Sequence, residues 1–329
     1  MRTFDYVRAT DTQEVVRMLA EDPSASCLAG GTTQLDLMKD GVLEPPTLID
    51  ITRLPLHGIE RRGESLHVGA LATMEELAAD ATVAERLPVV REALLMGASV
   101  QLRNMATIGG NLLQRTRCRY FRDPMVLECN KRAPGTGCAA VQGAARMHAV
   151  LGVNENCIAL HASDLAVALV ALDAVVHIQG LSGRRTVPLT ELYVTADESP
   201  ERENVLEHAE LITEVEIPLP PPSARSGYLK VRDRVSYEFA LTSAAVVLVV
   251  EDGTIRQARV GLGGVGSQPW RAYEAEHVLT GAPATSATFQ DASEATMRDA
   301  WTVPGTAFKV PLARRTLVRE LQTVSGVTA

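Results

Sequence analysis

Residues 114–162 constrain most strongly what this chain can fold into. The stretch shows neither a helical nor a strand period, and it lies between segments that do. A loop of that length inside a compact domain needs something to order it. It holds Cys118, Cys129, Cys138 and Cys157, four of the chain's five cysteines. Pro134-Gly135 and Gly137 supply turns between them. Four thiolates match a 4Fe–4S cluster or a structural zinc ion. Intervals of 10, 8 and 18 residues fit zinc poorly, because zinc ribbons favour Cys-x2-Cys knuckles. They are not the common ferredoxin spacing either, and four unrelated buried thiols remain a third reading. The odd count argues against a closed disulfide framework, and Cys27 reads as a packed thiol in an apolar strand. Arg115, Arg117, Arg119 and Arg122 surround Cys118. They suit either the negative charge of a thiolate-bound cluster or the acidic face of a partner.

The flanking segments read as α+β. Asp11 with Glu14 predicts a helix start, and Cys27-Leu28-Ala29 a short strand broken by Gly30-Gly31. Thr73 with Glu76 predicts a capping box, and Pro88 the start of a helix to about Ala98. Ser163 caps an apolar helix, residues 164–172, that should be buried on every side. Strands are expected over residues 174–178 and 211–217. Pro218-Leu219-Pro220-Pro221-Pro222 reads as a linker. Beyond it, Asp252-Gly253 joins two apolar runs into a hairpin.

Two paired-glycine motifs stand out, Ala29-Gly30-Gly31-Thr32-Thr33-Gln34 and Thr107-Ile108-Gly109-Gly110-Asn111-Leu112. Paired glycines let a backbone approach a ligand and turn its N–H groups toward an anion. Two such loops suit a pyrophosphate clamped from both sides, although ordinary tight turns would look the same. Gly261-Leu262-Gly263-Gly264-Val265-Gly266 matches G-x-G-x-x-G literally. The strand before it belongs to the hairpin, and Ser267-Gln268-Pro269 breaks any helix after it, so a dinucleotide site is not expected there. His67, His148 and His161 show no paired metal-ligand spacing; His161 stands out only for its place before Ser163-Asp164.

The formal net charge of -8 argues against a general nucleic-acid binder. No run approaches the roughly 20 apolar residues of a membrane span, and the first residues lack the apolar stretch of a signal peptide. The expectation is a cytoplasmic protein, or a periplasmic one carried out with a signal-bearing partner.

Gly30-Gly31-Thr32-Thr33, Thr107-Ile108-Gly109-Gly110-Asn111-Leu112 and Ser163-Asp164-Leu165, in that order, resemble the FAD-binding subunit of the xanthine dehydrogenase (molybdenum hydroxylase) family. The resemblance spans essentially the whole chain, including residues 230–240 and Gly263-Gly264. Within the family it looks most like the FAD subunit of bacterial periplasmic-type aldehyde oxidoreductases. There a stretch similar to Gln114-Arg115-Thr116-Arg117-Cys118 opens an insertion carrying a 4Fe–4S cluster. The implied fold is α+β. A two-part FAD-binding domain of the vanillyl-alcohol oxidase type covers residues 1–222, with subdomains of about 1–57 and 58–222 and the insertion at 114–162. A small α+β C-terminal domain comes next, residues 223–329.

The resemblance implies FAD contacts at Leu28, Ala29, Gly30, Gly31, Thr32, Thr33, Gln34 and Leu35. It implies others at Gly97, Ala98, Thr107, Gly109, Gly110, Asn111, Leu113, Ser163 and Asp164. Gly30, Gly31, Thr32 and Thr33 would hold the pyrophosphate, Gly109, Gly110 and Asn111 would grip its other side, and Asp164 would accept from ribityl or ribose hydroxyls. Gln34 stands where other members carry Asn, Asp or Glu. Cys118, Cys129, Cys138 and Cys157 would bind one 4Fe–4S cluster. The implied activity is electron transfer within a heterotrimer. A large molybdopterin-binding subunit oxidises an aldehyde, xanthine or N-heterocycle, a small 2Fe–2S subunit relays electrons, and an external acceptor receives them from FAD. No acid–base residue is expected in this chain. A stand-alone flavin oxidase of the vanillyl-alcohol oxidase type and a zinc-stapled scaffold are the competing readings. The cysteine insertion has no role in the first, and flavin colour separates the second.

Overall fold

A computed structural model describes residues 1–327. Three sheets carry the architecture. Strands Asp5–Arg8, Thr47–Asp50 and Ser26–Leu28 form a small parallel sheet with Thr47–Asp50 in the centre. The helix Thr12–Glu21 crosses over between its strands. Asp11 caps that helix as expected, its carboxylate accepting from the Glu14 N–H at 2.8 Å. Glu14 reaches back to Thr10 rather than to the cap residue.

The second sheet is antiparallel, in the order Ile59–Arg62, Ser65–Gly69, Leu211–Pro218, Val175–Gly180, Gly183–Pro188. The Thr73–Glu76 capping box is present, and Pro88–Met96 starts on its proline. The apolar helix Asp164–Val170 is capped by Ser163 and ends two residues short of the expected end, and Asp173 beyond it takes a positive φ of 54°. It is enclosed by Pro88–Met96, by the helical turn Ile108–Leu112 and by the C-terminal strands. That burial explains its lack of a polar face.

The C-terminal sheet pairs Arg225–Val231, Thr242–Glu251, Thr254–Gly263 and Trp270–Arg271 in antiparallel order. Asp252 (φ 49°) and Gly253 (φ 74°) make the tight turn with positive φ at both positions. The helix Lys309–Ser325 packs across this sheet. The Gly261-to-Gly266 run serves packing. A Cβ on Gly261 would strike the Val167 carbonyl, and one on Gly263 the Val167 side chain, so these glycines let the strand lie against Asp164–Val170.

Glu320, on Lys309–Ser325, is 4% exposed, and its carboxyl sits where a side chain on Gly227 would have to go. Burial, then the nearby Glu92, pushes its pKa up to about 7. A carboxyl with a raised folded-state pKa contributes its stability below its unfolded value, and loses it as pH rises through the folded one. Denaturant unfolding should therefore show wild-type stability falling relative to Glu320→Gln between about pH 4.5 and 7, set against the opposite trend from the buried His148 and His161, whose pKa values burial pushes down to about 4. An unchanged slope in the variant would assign the pH dependence elsewhere.

Candidate flavin site

The two glycine motifs converge. A Cβ on Gly30 would collide with the Met105 carbonyl, two residues before Thr107, so only glycine lets the loops approach this closely. Gly31 has φ 74°. The loop then enters the helix Gln34–Lys39. Among the described residues, the backbone N–H groups of Gly30, Gly31, Thr32 and Thr33 donate to no protein acceptor. Four consecutive free donors at a glycine turn form a ready anion cradle.

The second motif is a helical turn, Ile108–Leu112, rather than an open loop. Thr107 caps it, its hydroxyl accepting from the Gly110 N–H at 3.3 Å. The Gly109 N–H donates to the Ala70 carbonyl at 2.8 Å, tying the turn to the second sheet. Asn111 accepts from the Ser163 hydroxyl, so the Gly-Gly-Asn and Ser-Asp motifs touch directly. Asp164 takes a hydrogen bond from the Tyr228 hydroxyl at 2.6 Å and an ion pair from Lys230 at 2.7 Å. Both its oxygens are thus engaged by the C-terminal domain. Burial first, and then Asp164, hold the Tyr228 pKa well above its ordinary value.

Two cavities meet at the first glycine loop. One, of about 590 Å³, is lined by Gly30 to Thr33, Gly97, Ala98, Gly110, Asn111, Asp164, Lys230, Tyr237 and Phe239. The other, of about 240 Å³, is lined by Gly30 to Gln34, Ala70, Thr107, Gly109, Gly110, Leu113 and Leu211. A long ligand with an anionic middle suits two chambers joined at an anion cradle. Ala98 (φ 50°) and Tyr237 (φ 53°) both border the larger cavity in left-handed backbone. Such strain in non-glycine residues concentrates at ligand clamps. Gln34 lines the smaller cavity, and its buried Nε2 has no partner. These features fit FAD. Leu28 and Ser163 border neither cavity, while Ala29 and Leu35 each border one.

Sequence reading did not single out Lys230, Tyr237, Phe239 or Arg117 as separate cavity residues. Lys230 lies two residues after Tyr228 in one strand, and the pairing of both with Asp164 spans more than 60 residues, which no local motif reports. His161 lies outside both cavities. Burial pushes its pKa down to about 4, and it stacks edge-on against Tyr193 with centroids 4.7 Å apart.

The insertion is clamped onto the same site. Arg117 and Arg122 pair with Asp36 at 2.8 and 2.6 Å, in the helix that leaves the first glycine loop. Arg115 pairs with Glu203, which also pairs with the buried Lys131 at 3.2 Å. Three of the four arginines thus have partners within the chain, and Arg119 is exposed. Phe121 is buried against Leu37.

Cys118, Cys129, Cys138 and Cys157 line one small apolar cavity, and none forms a disulfide. Burial pushes the Cys118 and Cys157 thiols up to about 11. His148 lies with Nε2 3.1 Å from the Cys118 Sγ. Burial also raises Cys27, to about 12, in keeping with a packed thiol.

A two-part mixed fold with two chambers around a glycine-built anion cradle is the arrangement expected of a flavin-binding protein. Residues 2–220 match the FAD binding domain in molybdopterin dehydrogenase, and residues 227–323 the CO dehydrogenase flavoprotein C-terminal domain. The chain belongs to the FAD-binding subunits of the molybdenum hydroxylase family. It is 44% identical to the aldehyde oxidoreductase FAD-binding subunit PaoB of Escherichia coli, over 98% of both chains. It is 25% identical to the nicotinate dehydrogenase FAD-subunit of Eubacterium barkeri, covering 99% of this chain and 94% of that one. Among solved structures it is similar to the carbon monoxide dehydrogenase of Hydrogenophaga pseudoflava. There the TM-score is 0.78 at 25% identity, over 100% of this chain and 99% of that one. Such relatives are dehydrogenase subunits of multi-subunit enzymes, not stand-alone oxidases. No helix among the described residues is long and apolar enough to cross a membrane.

Proposed function

We propose that this chain is the FAD subunit of a molybdenum-dependent aldehyde oxidoreductase and that its insertion holds one 4Fe–4S cluster. The observation that carries the aldehyde assignment is the 44% identity to an aldehyde oxidoreductase subunit across nearly the whole of both chains. A large molybdopterin subunit and a small 2Fe–2S subunit are the partners in this reading. The complex is cytoplasmic, or periplasmic by co-export with a signal-bearing partner.

Bound FAD supplies the redox chemistry that links the partners' centres to an external acceptor. The free amides of residues 30–33 hold its pyrophosphate, and the Gly109-Gly110-Asn111 turn closes over the other side. Lys230 and Tyr228 fix Asp164 at the edge of the larger chamber, and Gln34 offers its unpartnered amide in the smaller one. In a Gly110→Val variant the added side chain starts 2.8 Å from the Thr107 hydroxyl and crowds this turn. Flavin per folded chain should fall at least severalfold with far-UV circular dichroism unchanged. Full flavin occupancy would remove this turn from the site.

A single zinc ion, with Zn–S of about 2.3 Å, sets its thiolates roughly 3.8 Å apart. Among the described residues, no three of the cysteine sulfurs lie within 4.8 Å of one another. The cluster acts in this reading mainly as a staple, ordering a loop already tied to the flavin helix by Arg117 and Arg122. Size measurement on material expressed with its genomic neighbours tests the assembly. A complex well above the 35.4 kDa of this chain is expected, with aldehyde-dependent reduction of an acceptor. A lone chain oxidising an aldehyde unaided would overturn the subunit reading.

A further inference from the structure

Away from the flavin chambers, the second sheet presents an imidazole and carboxylate cluster on one face. Side chains alternate across a sheet, so residues on neighbouring strands share a face according to register. His67 pairs with Glu216 across Ser65–Gly69 and Leu211–Pro218. His177 pairs with Glu214 across Val175–Gly180 and the same central strand. Leu66, Val68, Val176, Val215 and Ile217 fill the opposite face and are buried. The result is a diamond with both carboxylates on the middle strand and one imidazole on either side.

The distances are close to those around a metal ion. His67 Nδ1 is 2.7 Å from Glu214 Oε1. His177 Nε2 is 3.9 Å from the same oxygen and 3.2 Å from Glu216 Oε2. The ligand atoms of His67, His177 and Glu214 all lie within 4.8 Å of one another. Around a tetrahedral ion with bonds of 2.0–2.2 Å, donors sit about 3.3–3.6 Å apart. The observed spacings of 2.7 and 3.9 Å fall on either side of that range, so an ion would part His67 from Glu214 by about 0.6–0.9 Å and draw His177 in by about 0.3–0.6 Å. All four side chains are partly buried. Arg62 holds the second oxygen of Glu214 at 3.1 Å, which orients that carboxylate toward the imidazoles.

We propose that His67, His177 and Glu214 form a binding site for one Zn²⁺-class divalent ion, with Glu216 hydrogen-bonded to His177 beside it. Two imidazoles select borderline transition metals over Mg²⁺ or Ca²⁺, which prefer all-oxygen shells. The ion bridges three adjacent strands. Ser65–Gly69 runs on into Ala70, whose N–H donates to the Thr213 carbonyl at 3.0 Å and whose carbonyl receives the Gly109 N–H. Metal on this face therefore steadies the strands that support the second glycine turn. The role is structural and independent of electron transfer.

The test is calorimetric titration of the untagged, flavin- and iron-loaded chain with zinc chloride, in parallel with a His67→Gln/His177→Gln variant. The wild type should take up one equivalent and unfold at a higher temperature with zinc than without. The double variant should lose that equivalent with flavin content and circular dichroism unchanged. A single His177→Gln variant, which keeps the His67–Glu214 contact, should bind at least tenfold more weakly. No uptake by the wild type would overturn the proposal. So would equal uptake by the double variant, because zinc bound at the cysteines survives those substitutions.

Discussion

Serine at any one of Cys118, Cys129, Cys138 or Cys157 should strip about four iron atoms from the chain. Cys27→Ser should leave iron unchanged, since Cys27 packs against the core of the first sheet and borders the smaller flavin chamber, outside the four-cysteine cavity. The loss should be nearly complete for each variant, because a cubane cluster uses all four thiolates. These cysteines sit in a segment with little regular structure of its own, so its order should fall with the iron. Limited proteolysis should then cut between residues 119 and 156, while the two glycine turns before it stay protected. Iron undiminished in the Cys129 or Cys157 variant would remove that residue from the ligand set and reopen the zinc reading.

The second large effect concerns the joint between the two domains. The Lys230 side chain is 1% exposed and that of Asp164 10%. Lys230→Met leaves the Asp164 carboxylate buried with the Tyr228 hydroxyl as its remaining side-chain donor. Breaking a buried pair on one side costs about 3–5 kcal/mol, whereas replacing both partners can be nearly neutral. The single variant should therefore unfold at markedly lower denaturant, and Asp164→Asn/Lys230→Met should recover much of the loss. Lys230 also borders the larger chamber, so the single variant should lose flavin as well. A single-variant cost under about 1 kcal/mol would mean that water reaches the pair and that it does not join the domains.

Local chemistry made much of the fold legible. The Asp11, Thr73 and Ser163 caps, the Pro88 helix start and the Asp252-Gly253 hairpin all arise from side chains within a few residues of each other. The strands Ile59–Arg62 and Gly183–Pro188 escaped because they are edge strands with mostly exposed, charged side chains, which carry no apolar period. Arg225–Val231 escaped because it begins just past the proline run. The glycine motifs were visible as anion-binding turns, since glycine is needed where backbones approach within contact distance. Their meeting through Met105, and the Asp164–Lys230 pair, depend on contacts distant in sequence. The His67–His177 juxtaposition depends on sheet register, and residues 110 positions apart show no spacing motif. The arginines around Cys118 read as cluster or partner contacts. Three instead pair with Asp36 and Glu203, acids placed there by the fold.

The most direct test is cofactor analysis of this subunit, separated from its partners after purification of the complex. One FAD per chain, released intact on denaturation, and about four irons with matching sulfide are the predicted result. A folded subunit without flavin, or with flavin that stays attached after denaturation, would contradict non-covalent binding at the glycine turns. Flavin without iron would leave that site standing and remove the cluster from the cysteine cavity.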